Sequence, residues 1–319
     1  MAVMPIERGK IREYATATGA DRPAYLDDQK APVPPTFLAT VVFWTPIGET
    51  LRSPEVLRAC AAAGVAADLG SLLSLEQEYV YQGPPPHAGE TLQTAERLSD
   101  ITVKRTRDGR AMVVIRFTVS FRDERGDLRA ECNYTSAYVQ RDRARAEARA
   151  PAPGLRREGA RNERTSDEGG GRGPERAEAS AGNTAMSELV PGTRLPERTF
   201  GPVTLTDIVR YQGASGDMNP IHHDDEFARS AGFPAAIGVG MLGAGWLAAY
   251  CTEHLGEESV RRFRTRFSAV VYRGDRLTAS AEVVRLFAHD REERVELAVR
   301  LRKDDGSVVI DGTAEFALR

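Results

Sequence analysis

The sequence has few of the features that mark an exported, metal-binding or disulfide-rich protein. Only three cysteines occur among 319 residues, at Cys60, Cys132 and Cys251. Their wide spacing, without a CxxC pair, favours neither a disulfide framework nor a zinc ribbon, and unpaired thiols are typical of a reducing compartment. The first fourteen residues are interrupted by charges and contain no apolar signal-peptide core. We therefore expect a cytoplasmic protein.

A large excess of charge of one sign is also missing. In total, 43 basic and 46 acidic residues give a formal net charge of −3, which excludes nucleic-acid binding driven by bulk charge. Long apolar runs are scarce, and the longest stretch without charge, residues 230–252, is long enough to cross a bilayer. That stretch contains Pro234 and five glycines. We therefore predict a buried core helix from Met241 to about His254 rather than a membrane span.

Residues 141–186 lack almost every residue type that builds a core. Ten arginines, eight acidic residues, seven glycines and three prolines occur there, and Leu155 is the sole Leu, Ile, Val or Phe. Such a composition cannot bury enough apolar surface to offset the entropy cost of ordering the chain. We predict a disordered linker between a domain at 1–140 and a domain at 187–319. An arginine-rich interaction arm is the alternative.

The two parts that flank the linker are similar in length and in sequence. Residues 14–28 align with residues 211–225 without a gap, and the aligned pairs include a tyrosine, a glycine, a proline and two adjacent aspartates. A later match aligns Gly89 with Gly274. Internal similarity of this kind indicates one domain that has been duplicated and fused.

Hydrophobic periodicity predicts the same order of elements in each half: a helix, a loop, a central apolar helix and then a meander of strands. In the second half the first helix is predicted at 205–214. The predicted strands are 262–272, 277–287, 294–302 and 308–318 in the second half, and 91–104, 111–121 and 128–139 in the first. This order suggests an α+β fold in which an antiparallel sheet wraps round the central helix. Two such sheets could pair side by side and protect their edge strands.

The richest cluster of chemically active side chains lies in the loop after the first helix of the second half. Asp217, Asn219 and His222 stand within six residues of one another, and Gly216 and Pro220 favour a tight turn around them. A carboxylate, an amide and an imidazole on one rigid loop can hold a water molecule and move its proton. The alternative is a solvated turn in which the Asp and Asn serve only as turn formers.

The run GDMNPIHHD resembles the signature of the MaoC-like (R)-specific enoyl hydratases and 3-hydroxyacyl dehydratases, which have the hot-dog fold. The positions that match are Ser215, Gly216, Asp217, Asn219, Pro220, Ile221, His222 and Asp224. Gly240-Met241-Leu242 also resembles the segment that precedes the family's central helix. The resemblance covers 187–319 and implies a double hot-dog fold. The whole chain resembles a fusion of the two subunits of an actinobacterial (3R)-hydroxyacyl-[acyl-carrier-protein] dehydratase.

The same resemblance implies a role for each residue of the loop. His222 would take the C2 proton of a thioester, Asp217 would act on the C3 hydroxyl, and Asn219 would orient the pair. The backbone N–H of Gly240 would bind the enolate-like oxygen, because helix N-termini favour negative charge. Three further residues are implied as substrate contacts: Ser215, Gly216 and Met241. The resemblance implies no metal and no other cofactor, and we expect no role for His223.

The repeat alignment predicts a single active site. In the first half, Ala20, Arg22 and Tyr25 occupy the positions of the three polar residues. We expect this half to supply pocket wall instead, with Phe37 and Trp44 lining an acyl tunnel. Ordinary core packing of these aromatic residues is the alternative.

Other patterns favour other chemistries only weakly. Residues 238–243 fit GxGxxG but lack the βαβ context of a dinucleotide site. Residues 222–226 combine His, Asp and Glu at a spacing that suits no common metal site, and Ser215 stands in no GxSxG motif. Four arginines within 261–266 place three on one strand face. That face is either solvated or a docking surface for the phosphates of coenzyme A or for an acidic carrier protein.

Taken together, these observations predict a hydro-lyase that interconverts (3R)-3-hydroxyacyl and trans-2-enoyl thioesters in fatty-acid or related acyl-chain metabolism. A hot-dog thioesterase and a non-catalytic acyl-binding protein are the alternatives. The expected partner is an acyl-CoA or an acyl carrier protein, not a nucleic acid or a membrane. The chain is expected to be a monomeric pseudo-dimer or a homodimer. The sequence does not determine the length of the acyl chain or whether the carrier is coenzyme A or an acyl carrier protein.

Overall fold

A computed structural model describes residues 2–43, 49–141 and 189–318 of the chain. The predicted linker at 141–186 therefore lies outside the described residues, apart from its first residue. Trp44 lies outside them as well.

Within residues 2–43 and 49–141, the first half contains three α-helices, one 3-10 helix and five strands. In chain order these are β1 (Ala2–Pro5), α1 (Arg8–Ala17), α2 (Pro23–Leu26), the 3-10 helix Phe37–Phe43, α3 (Pro54–Ala63), β2 (Leu72–Tyr81), β3 (Thr91–Arg105), β4 (Ala111–Arg122) and β5 (Leu128–Val139). The strand β2 was not expected from the sequence. Its side-chain alternation is broken by an irregular register against β5 between Ser74 and Glu76, which hides the period of two.

The second half repeats the order with a longer central helix. Its elements are β6 (Arg198–Phe200), α4 (Leu205–Ser215), the 3-10 helix Pro220–His222, α5 (Asp225–Ser230), α6 (Gly240–Leu255), β7 (Val260–Phe267), β8 (Leu277–His289), β9 (Glu292–Lys303) and β10 (Val308–Ala317). The predicted helices and strands are present. Strand β7 ends five residues earlier than predicted, and the residues beyond it form one wall of a cavity described below.

All ten strands join one antiparallel sheet, in the order β1-β3-β4-β5-β2-β7-β10-β9-β8-β6. The halves meet where β2 pairs with β7, from Glu76 opposite Arg266 to Val80 opposite Arg262. The expected side-by-side pairing of two sheets is therefore present, and it covers an edge that each half alone would expose.

The helix α6 forms the centre of the second half. Residues 241–252 are all buried, and the helix contacts β7, β8, β9 and β10. The absence of charge before Glu253 explains why every side of the helix can face protein. Among the described residues, no helix is long and apolar enough to cross a membrane.

Among its described residues, the first half has no helix as long as α6. The 3-10 helix Phe37–Phe43 is mostly buried, and the ten-residue α3 is the helix that contacts β3 and β4. Two prolines precede the 3-10 helix, and β-branched Thr40, Val41 and Val42 disfavour a regular α-helix. The two repeats therefore share a sheet topology while differing in their central element.

The arginines of β7 have a structural role at the joint between the halves. The Nε atom of Arg262 donates to Glu78 at 2.8 Å, and its Nη1 atom lies 3.3 Å from Glu315. Arg264 pairs with Glu76 at 2.9 Å. The pairs with Glu78 and Glu76 join β2 to β7, and the pair with Glu315 joins β7 to β10, so Arg262 and Arg264 both have carboxylate partners within the sheet. Each pair is partly exposed and contributes about 0–1 kcal/mol.

A close approach of two helices also holds the halves together. Gly245 of α6 lies against Thr18, at the end of α1, and a Cβ atom on Gly245 would lie 2.4 Å from the Thr18 Cγ2 atom. The Thr18 hydroxyl donates to the Tyr14 carbonyl at 2.9 Å, which fixes its rotamer. A side chain at position 245 would therefore force the halves apart.

We expect Gly245→Ala to lower the free energy of unfolding by about 1–3 kcal/mol, because overpacking displaces well-packed neighbours. Urea unfolding followed by circular dichroism measures the effect. The matched control is Gly213→Ala in α4, where a Cβ atom meets nothing within 4 Å. It should be neutral or stabilising by up to about 1 kcal/mol. Equal stability of the two variants would contradict the close approach.

Candidate active site

The loop that carries the polar cluster is shaped by the end of α4. The helix begins with a capping box between Thr204 and Asp207, and it ends at Gly216, whose φ of +84° is the left-handed conformation that favours glycine. The chain then reverses into the short helix Pro220–His222. This turn places Asp217 and His222 side by side.

The His222 imidazole is oriented by one backbone carbonyl. Its Nδ1 atom lies 3.0 Å from the Ile237 oxygen, and because a carbonyl can only accept, Nδ1 carries the proton. The Nε2 atom is then a free acceptor, 3.8 Å from Asp217 Oδ2. The residue is 9% exposed. This arrangement presents one unprotonated nitrogen and one carboxylate oxygen to the same point.

Burial sets the charge of His222. Desolvation has the largest influence and lowers the pKa of His222, because it disfavours the imidazolium ion. The negative charge of Asp217 and the hydrogen bond to Ile237 raise the pKa of His222, whereas His223 lowers it further. The net direction is a pKa below the usual value near 6.5. His222 is therefore a neutral base at pH 7.

Gln212, which was not predicted from the sequence, holds the backbone of the Asp217–His222 loop through hydrogen bonds. Its Nε2 atom donates to the Asp217 carbonyl at 2.7 Å and to the Asn219 carbonyl at 3.3 Å. Its Oε1 atom accepts from His223 Nδ1 at 3.0 Å. His223, for which no role was expected, thus helps to hold a buried amide. Gln212 lies one residue after the tyrosine shared by both repeats, and that position is its only sequence signal.

Asn219 and Ser215 hold the backbone of the loop. Asn219 Oδ1 accepts from the Ile221 N–H at 3.2 Å and so caps the short helix that carries His222. The Asn219 N–H donates to Asp217 Oδ1 at 3.3 Å. Ser215 is buried, and its Oγ accepts from the Asp217 N–H at 3.2 Å. Both side chains therefore position the reactive pair.

The pair opens onto a cavity of about 450 Å³, a volume typical of small-ligand sites. Apolar side chains form most of its wall, and Asp217, Asn219 and His222 supply a polar patch. Both halves contribute to it. The first half supplies Phe43, Leu69, Leu72, Leu73 and Ser74. Asn219 Nδ2 also reaches the Leu69 carbonyl at 3.5 Å, which links the loop to this wall.

The N-terminus of α6 faces the cavity. Val239 is the N-cap and provides no side-chain hydrogen bond, so the first N–H groups of the helix are not occupied by a capping side chain. Gly240 and Met241 line the cavity at this end. A Cβ atom on Gly240 would lie 3.2 Å from the Phe267 ring, so glycine also permits the close contact with β7. A negatively charged oxygen is favoured at such a helix start.

Three residues expected to contact substrate do not line the cavity: Ser215, Gly216 and Phe37. Phe37 is fully buried and packs edge-on against Tyr14 at 5.4 Å between ring centroids; it does not line the cavity. Phe37 therefore has the ordinary core packing that was the alternative interpretation. The aromatic residue that lines the cavity is Phe43. Gly216 acts through its conformation, and a Cβ atom there would lie 3.0 Å from Phe43 Cβ. Trp44 lies outside the described residues.

The residues that could bind metals are dispersed. Within 2–43, 49–141 and 189–318, no group of three or more His, Cys, Asp and Glu side chains comes together. The three cysteines are free and buried.

We expect the His222 imidazole to titrate below 6.5 in the folded protein, since burial opposes its protonation. Histidine-ring NMR across pH measures the midpoint, and loss of the signal in His222→Gln assigns it. Asp217→Asn removes the negative charge that favours the imidazolium, so it should lower the midpoint further. A midpoint at or above 6.5, or an upward shift in Asp217→Asn, would contradict this electrostatic picture.

Two family models match the chain. The model described as MaoC like domain matches residues 188–304, and the model described as FAS1-like, dehydratase domain region matches residues 2–127. Together they cover most of both halves, on either side of the predicted linker.

Known proteins resemble the chain in sequence and in structure. The mitochondrial 3-hydroxyacyl-[acyl-carrier-protein] dehydratase FERN of Solanum lycopersicum is 31% identical over 121 residues, 38% of this chain and 72% of that protein. The (R)-specific enoyl-CoA hydratase of Rhodospirillum rubrum is 30% identical over 114 residues, 35% of this chain and 77% of that protein. A solved structure described as a MaoC-like dehydratase superimposes with a TM-score of 0.72 at 22% identity, covering 99% of this chain and 95% of that chain. A Mycobacterium tuberculosis protein described as having a double hotdog fold superimposes with a TM-score of 0.61 at 13% identity, covering 99% of this chain and 93% of that chain. These structural likenesses confirm the double hot-dog fold.

Proposed function

The chain belongs to the MaoC-like dehydratase family, and from this premise we propose that it interconverts (3R)-3-hydroxyacyl and trans-2-enoyl thioesters. One observation carries the proposal: a neutral histidine and a carboxylate 3.8 Å apart, at the polar patch of an apolar cavity. Apolar walls suit an acyl chain, and the pair suits the transfer of one proton between two substrate atoms.

In the dehydration direction, His222 Nε2 takes the C2 proton of the 3-hydroxyacyl thioester. The C2 electron pair forms the C2=C3 bond while the C3–O bond breaks. The proton passes through the Asp217 carboxyl to the departing hydroxyl, so water leaves and both side chains return to their initial protonation states. In the hydration direction the same pair activates water for addition to C3.

The charge that develops on the thioester oxygen also needs a partner. In this proposal the N–H of Gly240 donates to that oxygen at the start of α6, where the helix dipole adds to the hydrogen bond. Asn219, Ser215 and Gln212 act as positioning residues, because their contacts fix the loop.

We propose that the first half contributes wall and support but no second reactive pair. Tyr25, aligned with His222, is fully buried. Arg22, aligned with Asn219, donates to the Glu253 carbonyl at 3.2 Å and pairs with Glu257. These contacts join the first half to the C-terminal end of α6. They suit a loop that supports this helix better than a loop that carries out catalysis.

The central test replaces each member of the pair. Asp217→Asn and His222→Gln should each lower kcat for hydration of a short trans-2-enoyl-CoA by about 10²–10⁴-fold, the usual contribution of a general acid–base group. Loss of the enoyl absorbance measures the rate, and circular dichroism checks folding. Release of free thiol, measured in parallel, separates a thioesterase from a hydro-lyase.

The matched control is His223→Gln, because glutamine can still donate to Gln212. Its kcat should stay within about threefold of the wild type, far from the losses typical of acid–base groups. If His223→Gln were crippling and His222→Gln benign, the residue assignment would be wrong. If wild type bound acyl thioesters without converting them, the chain would be a binding protein.

The partner we propose is an acyl thioester of coenzyme A or of an acyl carrier protein, since the two named relatives use one of each. Parallel assays with both carriers decide between them. We further propose that the duplicated chain works as a monomeric pseudo-dimer or a homodimer in the cytoplasm. Its three free thiols suit that reducing compartment.

We propose that residues 1–140 and 187–319 are the two domains and that 141–186 is the linker between them. Deleting about 30 residues within 145–185 should leave kcat and the melting temperature nearly unchanged, because this composition cannot pack. Enzyme assays and thermal unfolding of the deletion variant provide the measurement. Loss of most activity in a folded variant would make the segment a working part of the enzyme.

A further inference from the structure

The cavity has an exposed end and a buried end. Phe43, Leu69 and Met218 line the exposed end and are 40%, 45% and 60% accessible to solvent. Trp246 and Leu277 belong to the buried part of the same wall and are 7% and 1% exposed. A thioester that enters with its carrier outside must therefore direct its acyl chain toward Trp246.

The helix α6 gives the length of this path. Gly240, at the proposed position of the thioester oxygen, and Trp246 lie six residues apart on the same helix. At about 1.5 Å per residue their separation along the axis is about 9 Å. An extended chain covers about 3.3–3.6 Å per three bonds, so about eight bonds fit between them.

The Trp246 ring is held in place by a layered stack. It lies parallel to the Phe200 ring, with 5.4 Å between centroids and 7° between planes. The Arg198 guanidinium lies over the Phe200 ring, 4.7 Å from its centroid. Arg198 is itself fixed by bonds to Glu253 at 2.8 Å and to the Gly19 carbonyl at 3.2 Å. Because these contacts hold the indole in place, the Trp246 ring cannot rotate away to make room for a longer acyl chain.

We propose that the Trp246 indole closes the inner end of the acyl cavity and limits good substrates to chains of about eight carbons. This inference rests on the proposed function, because it assumes a thioester at Gly240. The substrate class is accordingly short- and medium-chain (3R)-hydroxyacyl or trans-2-enoyl thioesters.

The test measures kcat/KM for trans-2-enoyl-CoA substrates from four to sixteen carbons. In the wild type, kcat/KM should fall at least about tenfold between eight and twelve carbons, because steric exclusion from a closed apolar pocket is worth at least that much. Trp246→Leu removes the indole while keeping an apolar side chain. Its ratio of kcat/KM for twelve carbons to that for four carbons should rise at least about tenfold.

Leu247→Val is the matched control. Leu247 is the next residue of α6, is fully buried and does not line the cavity, so its length ratio should equal that of the wild type. An unchanged ratio in a folded Trp246→Leu that still converts four-carbon substrate would overturn the inference. If Trp246→Leu failed to fold, the wild-type profile decides, and equal use of eight and sixteen carbons would overturn it. A wild type that converts no enoyl-CoA and no carrier-protein thioester would instead refute the proposed function.

Discussion

The antiparallel pairing of β2 with β7 is the constraint on which the candidate site depends. It places residues 69–74 of the first half against the Asp217–His222 loop of the second, and it gives the cavity walls from both repeats. The Asn219–Leu69 contact and the close approach of Gly245 to Thr18 extend the same joint. Both repeats therefore supply walls around the Asp217–His222 loop, while the hydrogen bonds from Gln212 and to Ile237 that shape the loop lie within the second half.

Within this frame, desolvation and one hydrogen bond set the protonation of His222. The Ile237 carbonyl selects the His222 tautomer, and burial keeps the ring neutral despite the neighbouring carboxylate. The two repeats share a sheet topology but differ in the residues of the aligned loops. Tyr14 and Tyr211, which align with each other, meet through their hydroxyls at 3.3 Å on the axis between the halves. Beyond them, one loop carries Asp217, Asn219 and His222, and the other carries the buried Tyr25 and Arg22, which donates to the Glu253 carbonyl of α6.

Sequence patterns predicted the parts whose cause is local. The Gly216–His222 turn, the uncharged helix α6 and the alternating strands are set by residue types at short spacing, and the structure contains all of them. The parts that depend on tertiary contacts were missed or misassigned. Strand β2 is hidden by its irregular register, and Gln212 acts through carbonyls that the loop brings to it. Phe37 and Phe43 look equivalent in sequence, and only packing decides which one reaches the cavity. Likewise, the arginines of β7 were ambiguous until β2 supplied their glutamate partners.

The central claim is that Asp217 and His222 act as one unit on a single proton. A double-mutant cycle in kcat tests this most directly, with Asp217→Asn, His222→Gln and the combined variant assayed on one short trans-2-enoyl-CoA. If the residues share the proton, the double variant should lose little more activity than the more damaged single variant. If the two losses multiply, the residues act independently, and the shared proton path is wrong.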